Sequence, residues 1–326
     1  MVTIKEIAAR AGVGFQTVSS ALNGDLSRVS RSRQKMILRL AKEMGYHSNL
    51  AAKSLRTRKS YAIGILLPSP LDMFYASMVA EFQGLLRESE YTGTFSFWSS
   101  YDDIRAATKN ILARSVDAII TVEPSYLPRR LNIPVVCYHN EDERFDFVGY
   151  DSNDSAKTAL DYLISLGHSR IAYLGSKLGL RGQAFLKIMR DHGMEAYAEK
   201  YMADLNTRNI LTELGSCESA FLKLMRLKAP PSAILVSSDT IAFDVVQAAH
   251  RHSIKIPGQL SIIGVDDLPL SRRLFPALTT LKSAGKSFAE LMLESVFNRL
   301  NNPGLPRQRH VCKAELVIRE SCHRLN

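Results

Sequence analysis

From Tyr61 onward, short apolar runs alternate with amphipathic stretches, and this alternation limits the possible folds more than any other feature of the chain. YAIGILLP, TFSFW, DAIITV, IPVVCY and FVGY form a first series; RIAYLG, SAILVS, LSIIGVDD and LTTLK form a second. Helical periodicity is expected at about 74–89, 104–114, 154–166, 181–191, 218–227 and 241–252. Runs that are apolar at nearly every position belong to strands buried on both faces, which means parallel sheets covered by helices. Two series predict an α/β body of two Rossmann-like lobes. Ligands of such sheets sit beyond the carboxyl ends of the strands, so the cleft between the lobes is the expected site.

The first 60 residues follow a different pattern. Thr3 and Glu6 have the spacing of a capping box, and Ile4, Ile7, Ala8 and Ala11 then fall on one helical face. Gly12 suits the sharp turn that ends this helix, because it tolerates positive φ. A second helix is expected at 15–22, burying Val18, Ala21 and Leu22. A third, at about 32–44, would present Ile37, Leu38, Leu40, Ala41 and Met44. Two short helices joined by a tight turn are a helix-turn-helix, whose second helix enters the major groove of DNA. Phe15, Gln16 and Ser20 stand where that helix meets base edges: Gln16 can pair bidentately with adenine, and Phe15 can cover a thymine methyl. Thr3, Thr17, Ser19, Ser30, Arg33 and Lys53 are candidate backbone contacts, which set register without reading sequence. Residues 48–60 contain a possible short helix in which Leu50, Ala51, Ala52 and Leu55 would be wasted on a plain linker. A helix lying across the minor groove with Leu55 wedged between base pairs would use them.

Charge agrees with this division. Residues 1–60 hold twelve Lys or Arg against three acids, a net of +9, so of the chain's +10 only +1 falls on the rest. A basic head on a nearly neutral body is expected when only the head meets a polyanion. The 326 residues suffice for two or three domains. Boundaries are expected at 1–47 for the head, 48–60 for the hinge and 61–326 for the body. Within the body, lobe one takes about 61–160 and 283–310, and lobe two about 161–282 and 311–326. Cys137, Cys217, Cys312 and Cys322 lie far apart with no CxxC pair, so neither a metal site nor a disulfide is expected. No cofactor is expected either. With no signal-like segment and no run of eighteen apolar residues, the expected location is the cytoplasm, at the nucleoid, with no membrane partner. No GxGxxG or GxxxxGK[ST] loop follows a predicted strand, which argues against a nucleotide-dependent enzyme. A solute-binding protein would account for the body but not for the head.

The head TIKEIAARAGV..QTVSSALN, the downstream VSRSR and MGYHSN, and the body segments VDAIIT, IPVV, LISLGHSRIAYLG, IPGQLSIIGVDD and PALTTL resemble the LacI family of bacterial transcription regulators, in family order and over essentially the whole chain. The resemblance implies a homodimer, or a tetramer built from two dimers, that binds a near-palindromic double-stranded operator and represses transcription. It also implies a body of periplasmic-binding-protein type that closes on a small sugar-like effector. By position it assigns Phe15, Gln16 and Ser20 to base reading and Leu55 to intercalation. It assigns Phe74 and Tyr75 to an aromatic pair lining the cleft, with lobe core as their alternative. Arg181 matches the arginine that reaches the ligand, with a surface salt bridge as its alternative, and Asp266 the acid that accepts from its hydroxyls. Ser20 stands where family members commonly have Arg, so an atypical operator is expected. Ser238 in place of Asn, Ala184 in place of Gly and shortened segments at 122–133 and 175–181 point to an unusual ligand or a cleft that has lost one.

Overall fold

The computed structural model describes the chain except at residues 1, 23, 26, 47–52, 55–56, 101, 206–209 and 326. Two compact units result, residues 1–60 and 61–326.

The head is three helices, α1 (Ile4–Ala11), α2 (Phe15–Leu22) and α3 (Arg31–Glu43). Thr3 caps α1: its hydroxyl accepts from Glu6 N while the Glu6 carboxylate accepts from Thr3 N at 2.7 Å. Gly12 closes the helix at φ 62°, its amide donating back to the Ala8 and Ala9 carbonyls. Ser30 caps α3 by accepting from Arg33 N. Ile7, Val18 and Ile37, one from each helix, are fully buried and meet in a small core with Ala21, Val29 and Ala41. Removing each large side chain from water contributes roughly 1.5–3 kcal/mol. Gln34 Nε2 donates to the Ala21 carbonyl at 3.2 Å and ties α3 to the end of α2. Leu38, expected on the apolar face of α3, points outward instead and is 44 % exposed, because the small core is filled by Ile37 and Ala41. Lys53 lies in a helical turn, with Thr57 Oγ1 donating to its carbonyl at 2.9 Å. Leu55 and most of the expected hinge lie outside the described residues.

The body contains two six-stranded sheets. The first is built from β1 (Ala62–Pro68), β2 (Thr92–Trp98), β3 (Ala118–Thr121), β4 (Val135–Tyr138), β5 (Asp146–Tyr150) and β11 (Arg309–Cys312), in the order β11-β5-β4-β3-β1-β2. The second is built from β6 (Ile171–Gly175), β7 (Met202–Asp204), β8 (Ala233–Val236), β9 (Ser261–Val265), β10 (Thr279–Ser283) and β12 (Ala314–Val317), in the order β12-β10-β9-β8-β6-β7. All pairings are parallel except β10 with β12. Each lobe thus carries the same doubly wound order, with its switch point beside β1 and β3 or beside β6 and β8. In the first lobe Ile63, Ile65, Ile120 and Val136 are fully buried, under Phe82 of α4 (Met73–Leu86) and Met292 of α11 (Phe288–Asn301). In the second, α6 (Ser152–Ser165), α7 (Leu180–Asp191) and α10 (Asp239–Arg251) cover Ile171, Leu174, Ile234 and Ile262, with α9 (Ile210–Met225) also packed on that lobe.

The chain passes between lobes near Asp151, across 284–287 and at Lys313. Helix α6 therefore packs wholly on the second lobe, not split at residue 160, and β11 lies in the first sheet. Helix α11 and strands β7, β11 and β12 are absent from the sequence expectation; three or four residues at a sheet edge leave almost no period to read. No described helix is long and apolar enough to cross a membrane.

Candidate functional site

On the head, the inward residues of α2 are Val18 and Ala21, so its opposite face is left to solvent. Phe15 is 51 % exposed, an uncommon position for a phenylalanine on so small a domain, and Gln16 beside it is exposed. Thr17, Ser19 and Ser20 are half-buried on the same helix. Ser30 and Arg33 lie at the exposed start of α3, where free helix amides favour an anion. Thr3 differs from them. Its amide and hydroxyl both donate to the Glu6 carboxylate, whose pKa these bonds lower, so it is engaged in capping and has a negative charge beside it.

In the body, Arg181 and Asp266, two of the residues expected to bind an effector, meet at strand carboxyl ends. Asp72, between β1 and α4, caps α4 by accepting from Phe74 N at 2.9 Å. It also accepts from Thr240 Oγ1 at 3.2 Å, a hydrogen bond across the cleft. Burial raises the pKa of Asp72 despite both bonds and the nearby Arg181. Phe74 stacks on Tyr138 at 5.8 Å and meets Tyr75 edge-on at 5.2 Å. Phe288 joins them, 5.0 Å from Tyr138 and 4.6 Å from Tyr150. These rings form one aromatic wall drawn from β4, β5, α4 and α11.

Arg181 enters from the second residue of α7. It donates to the Ser237 carbonyl at 3.0 Å, lies 3.6 Å from Asp266 Oδ1, and sits 5.4 Å above the Tyr150 ring. Burial opposes its charge, but Asp266 and the phenols of Tyr138, Tyr150 and Tyr173 hold the guanidinium protonated above its ordinary range. Asp266 is 4 % exposed and its Oδ1 has no hydrogen bond. Burial pushes its carboxyl well above the carboxylate range, Arg181 opposing and Asp239 and Asp72 adding to the rise. His139 follows Tyr138 at φ 68°, with its pKa lowered to about 4 by burial and by Arg181, so it is a neutral ring at pH 7.

Asp266 and Asp267 are non-glycine residues at φ 115° and 49°, positions that cost of order 1–3 kcal/mol each unless neighbours hold them. Asp239 does so. Fully buried, it accepts from Leu268 N, Ser271 Oγ and Thr280 Oγ1, while Arg319 pairs with Asp267. Beside this loop lies a cavity of about 340 Å³ whose lining includes Phe74, Met78, Glu81, Tyr150, Asp266 and Phe288. It is bounded by both lobes and is at the small end of ligand pockets.

Of the four expected effector residues, Phe74 and Asp266 line this cavity. Tyr75 packs toward the core of the first lobe, and Arg181 faces a crevice of about 10 Å³ with Tyr173 and Ser237. The sequence reading passed over Asp72, Tyr138, Tyr150, Asp239 and Phe288. The tyrosines had a signal: each ends an apolar run, VVCY or FVGY, at the carboxyl end where ligands bind.

Residues 3–49 match the family model described as "Bacterial regulatory proteins, lacI family", and residues 160–322, half the chain, match "Periplasmic binding protein-like domain". Among curated proteins, the chain is 26 % identical over 341 residues to the "Probable HTH-type transcriptional repressor ExuR" of Bacillus subtilis (strain 168), covering 100 % of this chain and 99 % of the relative. It is 25 % identical over 346 residues to the "HTH-type transcriptional repressor PurR" of Vibrio parahaemolyticus, with 100 % of both chains covered. To the "Ribose operon repressor" of Escherichia coli (strain K12) it is 26 % identical, covering 95 % of this chain and 96 % of the relative. Among solved structures, the lac repressor dimer bound to operator and the anti-inducer ONPF superposes with a TM-score of 0.73 at 21 % identity, with 99 % of each chain covered. A LacI family regulator from Enterococcus faecium with bound ribose gives 0.69 at 18 % identity, over 81 % of this chain and 100 % of that one. Head and body match in one order over the full chain, and the chain belongs to the LacI family of bacterial regulatory proteins, DNA-binding transcription regulators with a periplasmic-binding-protein-like body.

Proposed function

We propose that the chain is a repressor that binds a near-palindromic operator as a homodimer and answers to a small sugar-like effector bound between its lobes, acting on DNA in the cytoplasm. The observation that carries this reading is the exposed Phe15 and Gln16 pair on the second helix of a head with net charge +9. A two-fold protein presents two such helices, so its site should contain two half-sites related by symmetry and separated by a whole number of helical turns. In this reading Phe15, Gln16 and Ser20 read bases, Thr17, Ser19, Ser30, Arg33 and Lys53 hold the backbone, and Leu55 wedges into the minor groove. Phe74 and Asp266 meet the effector directly. Arg181, held by the Ser237 carbonyl and Asp266, supports the acid, and this favours a cleft whose ligand has changed.

Selection of binding sites from random duplexes with the full-length protein tests the reading. The expected product is one inverted-repeat sequence. Gln16→Ala should relax the choice at one base pair per half-site by about tenfold, in line with ~1–3 kcal/mol for a bidentate base contact. Recovery of no common sequence would overturn the proposal. Leu55→Ala should reduce the bend of the selected site in a gel-phasing assay; an unaltered bend refutes the wedge.

A further inference from the structure

The loops that lead into β3 and β4 carry positive charge that the body does not answer. Arg114 stands between α5 (Ile104–Leu112) and β3, and Arg129 and Arg130 precede β4; all three are exposed and make no ion pair among the described residues. Lys109, in the last turn of α5, adds a fourth exposed cation. Their neighbours in the chain fix them in one place. Leu112, Val116, Leu131 and Ile133 pack in a single apolar cluster with Ala62 of β1, and Ile119 N donates to the Pro134 carbonyl at 2.9 Å. The two loops therefore lie side by side at the amino end of the first sheet, where β4, β3 and β1 are adjacent. Acids at this edge are engaged elsewhere: Asp117 accepts from Tyr61 N at 2.8 Å, Glu141 pairs with Arg307 and Arg309, and Asp142 with Arg144. Beyond them Glu143 is exposed before β5, and Glu88 and Glu90 stand with Arg87 before β2, so the excess of cations is confined to the β3 and β4 loops. A net charge of only +1 over the whole body averages this patch away.

The chain enters the body at the same edge. Tyr61, the residue before β1, is held by Asp117, and Arg58 and Lys59 stand exposed just ahead of it. From Tyr46, packed in the core of the head, to Tyr61 is fifteen residues along the chain, a reach of at most about 50 Å. DNA held by the head is thus tethered to the body, and a tethered partner meets even a weak site at a high effective concentration. Exposed guanidinium groups with no protein partner suit phosphate, which they bind through paired N–H donors, and each such contact releases a counterion without reading a base.

We propose that Arg114, Arg129 and Arg130 form a sequence-independent DNA contact, made by the body with phosphates of the duplex that the head selects. The inference rests on the head as the DNA-binding element.

Fluorescence anisotropy with the full-length protein across a salt series, on the selected inverted-repeat duplex and on a scrambled duplex of equal length, tests it. Replacing the three arginines together (Arg114→Gln, Arg129→Gln, Arg130→Gln) should lower the slope of log K against log salt by at least about 2 on both duplexes, since each phosphate contact contributes about 0.9 and a dimer carries two such sets. Affinity at about 100 mM salt should fall at least about tenfold. All three positions are exposed, so the melting temperature should stay that of wild type. The matched triple Lys187→Gln, Lys223→Gln and Lys228→Gln, exposed on lobe two, removes the same charge and should leave the slope unchanged. A wild-type slope retained in the arginine triple overturns the proposal while the head remains the DNA-binding element. An equal loss in both triples also overturns it, since net charge alone would then account for the effect. So does a loss confined to the selected duplex, because phosphate contacts do not depend on sequence. A slope near zero in wild type would overturn this proposal and the role of the head together.

Discussion

Raising the salt concentration from about 50 to about 200 mM should weaken operator binding by about 10³- to 10⁵-fold, the range for a protein that neutralises roughly 6–10 phosphates. The expectation comes from where the charge lies. Arg28, Arg31, Arg33, Lys35, Arg39 and Lys42 are all exposed on or beside α3, and two heads in a dimer double their number. Acidic partners within the head are few, with Arg39 against Glu43 and Arg28 against Asp25 as surface pairs at 2.8 and 3.7 Å. Such exposed pairs contribute little and are themselves screened by salt, so they do not compete strongly with phosphate. Measured as the slope of log K against log salt, Arg33→Gln should remove about 0.9 for each phosphate it meets. Gln16→Ala should leave the slope unchanged and lower affinity only for the selected sequence. A slope near zero would refute the head as the DNA-binding element.

Asp239→Ala should destabilise the body by about 3–5 kcal/mol, the cost of breaking a buried polar network on one side. Three donors lose their acceptor at once: Leu268 N at 2.9 Å, Ser271 Oγ at 2.6 Å and Thr280 Oγ1 at 2.5 Å. The site depends on the same bonds, because they hold Asp266 and Asp267 at positive φ, so ligand affinity should fall with stability. The packing leaves no room for adjustment. A Cβ at Gly264 would lie 2.1 Å from Asp239 Oδ1, which is why glycine occupies that strand position.

Asp239→Asn separates the charge from the shape. Burial raises the carboxyl pKa to about 6, its three hydrogen bonds opposing and Asp267 adding to the rise. The folded state therefore holds this proton more tightly than the unfolded chain, where an Asp titrates near ~3.9. The stability that comes from the proton is complete below about pH 4 and is lost as pH rises through about 6. Urea unfolding at pH 4.5 and 7 should show wild type losing stability relative to Asp239→Asn as pH rises. A change of the opposite sign would mean that the buried carboxylate is stabilised as an anion.

How much of this was legible in the sequence varied with the range of the interaction. Capping of α1 by Thr3 and Glu6, its end at Gly12 and the inward Val18 and Ala21 of α2 could be read because each depends on residues within one or two turns. The alternation of apolar runs and amphipathic helices marked the two parallel sheets for the same reason: burial on both faces is recorded in each strand's own residues. Leu38 was misplaced because helical period gives the direction of a face but not the size of the core it meets. Helix α11 was missed although it carries a capping box at Ser287 and Glu290, a local signal that was available.

The effector cleft divides along the same line. Phe74, Arg181 and Asp266 were expected there by their positions in the family resemblance, and each stands at the start of a helix or just after a strand, where doubly wound folds bind ligands. Their actual roles depend on partners far away in the chain. Arg181 is held by the Ser237 carbonyl 56 residues on, and Asp72 meets Thr240 168 residues on. Asp239, silent in the sequence as one acid at a helix start, holds Ser271 and Thr280 and through them the loop that positions Asp266. By itself, then, the sequence determined the helices of the head, the strands of the lobes and the charge that divides them, since propensity, period and composition are local properties. Tertiary structure alone decided that Arg181 meets Asp266 and the Ser237 carbonyl, because pairing in a buried cleft depends on which strand ends the sheets bring together.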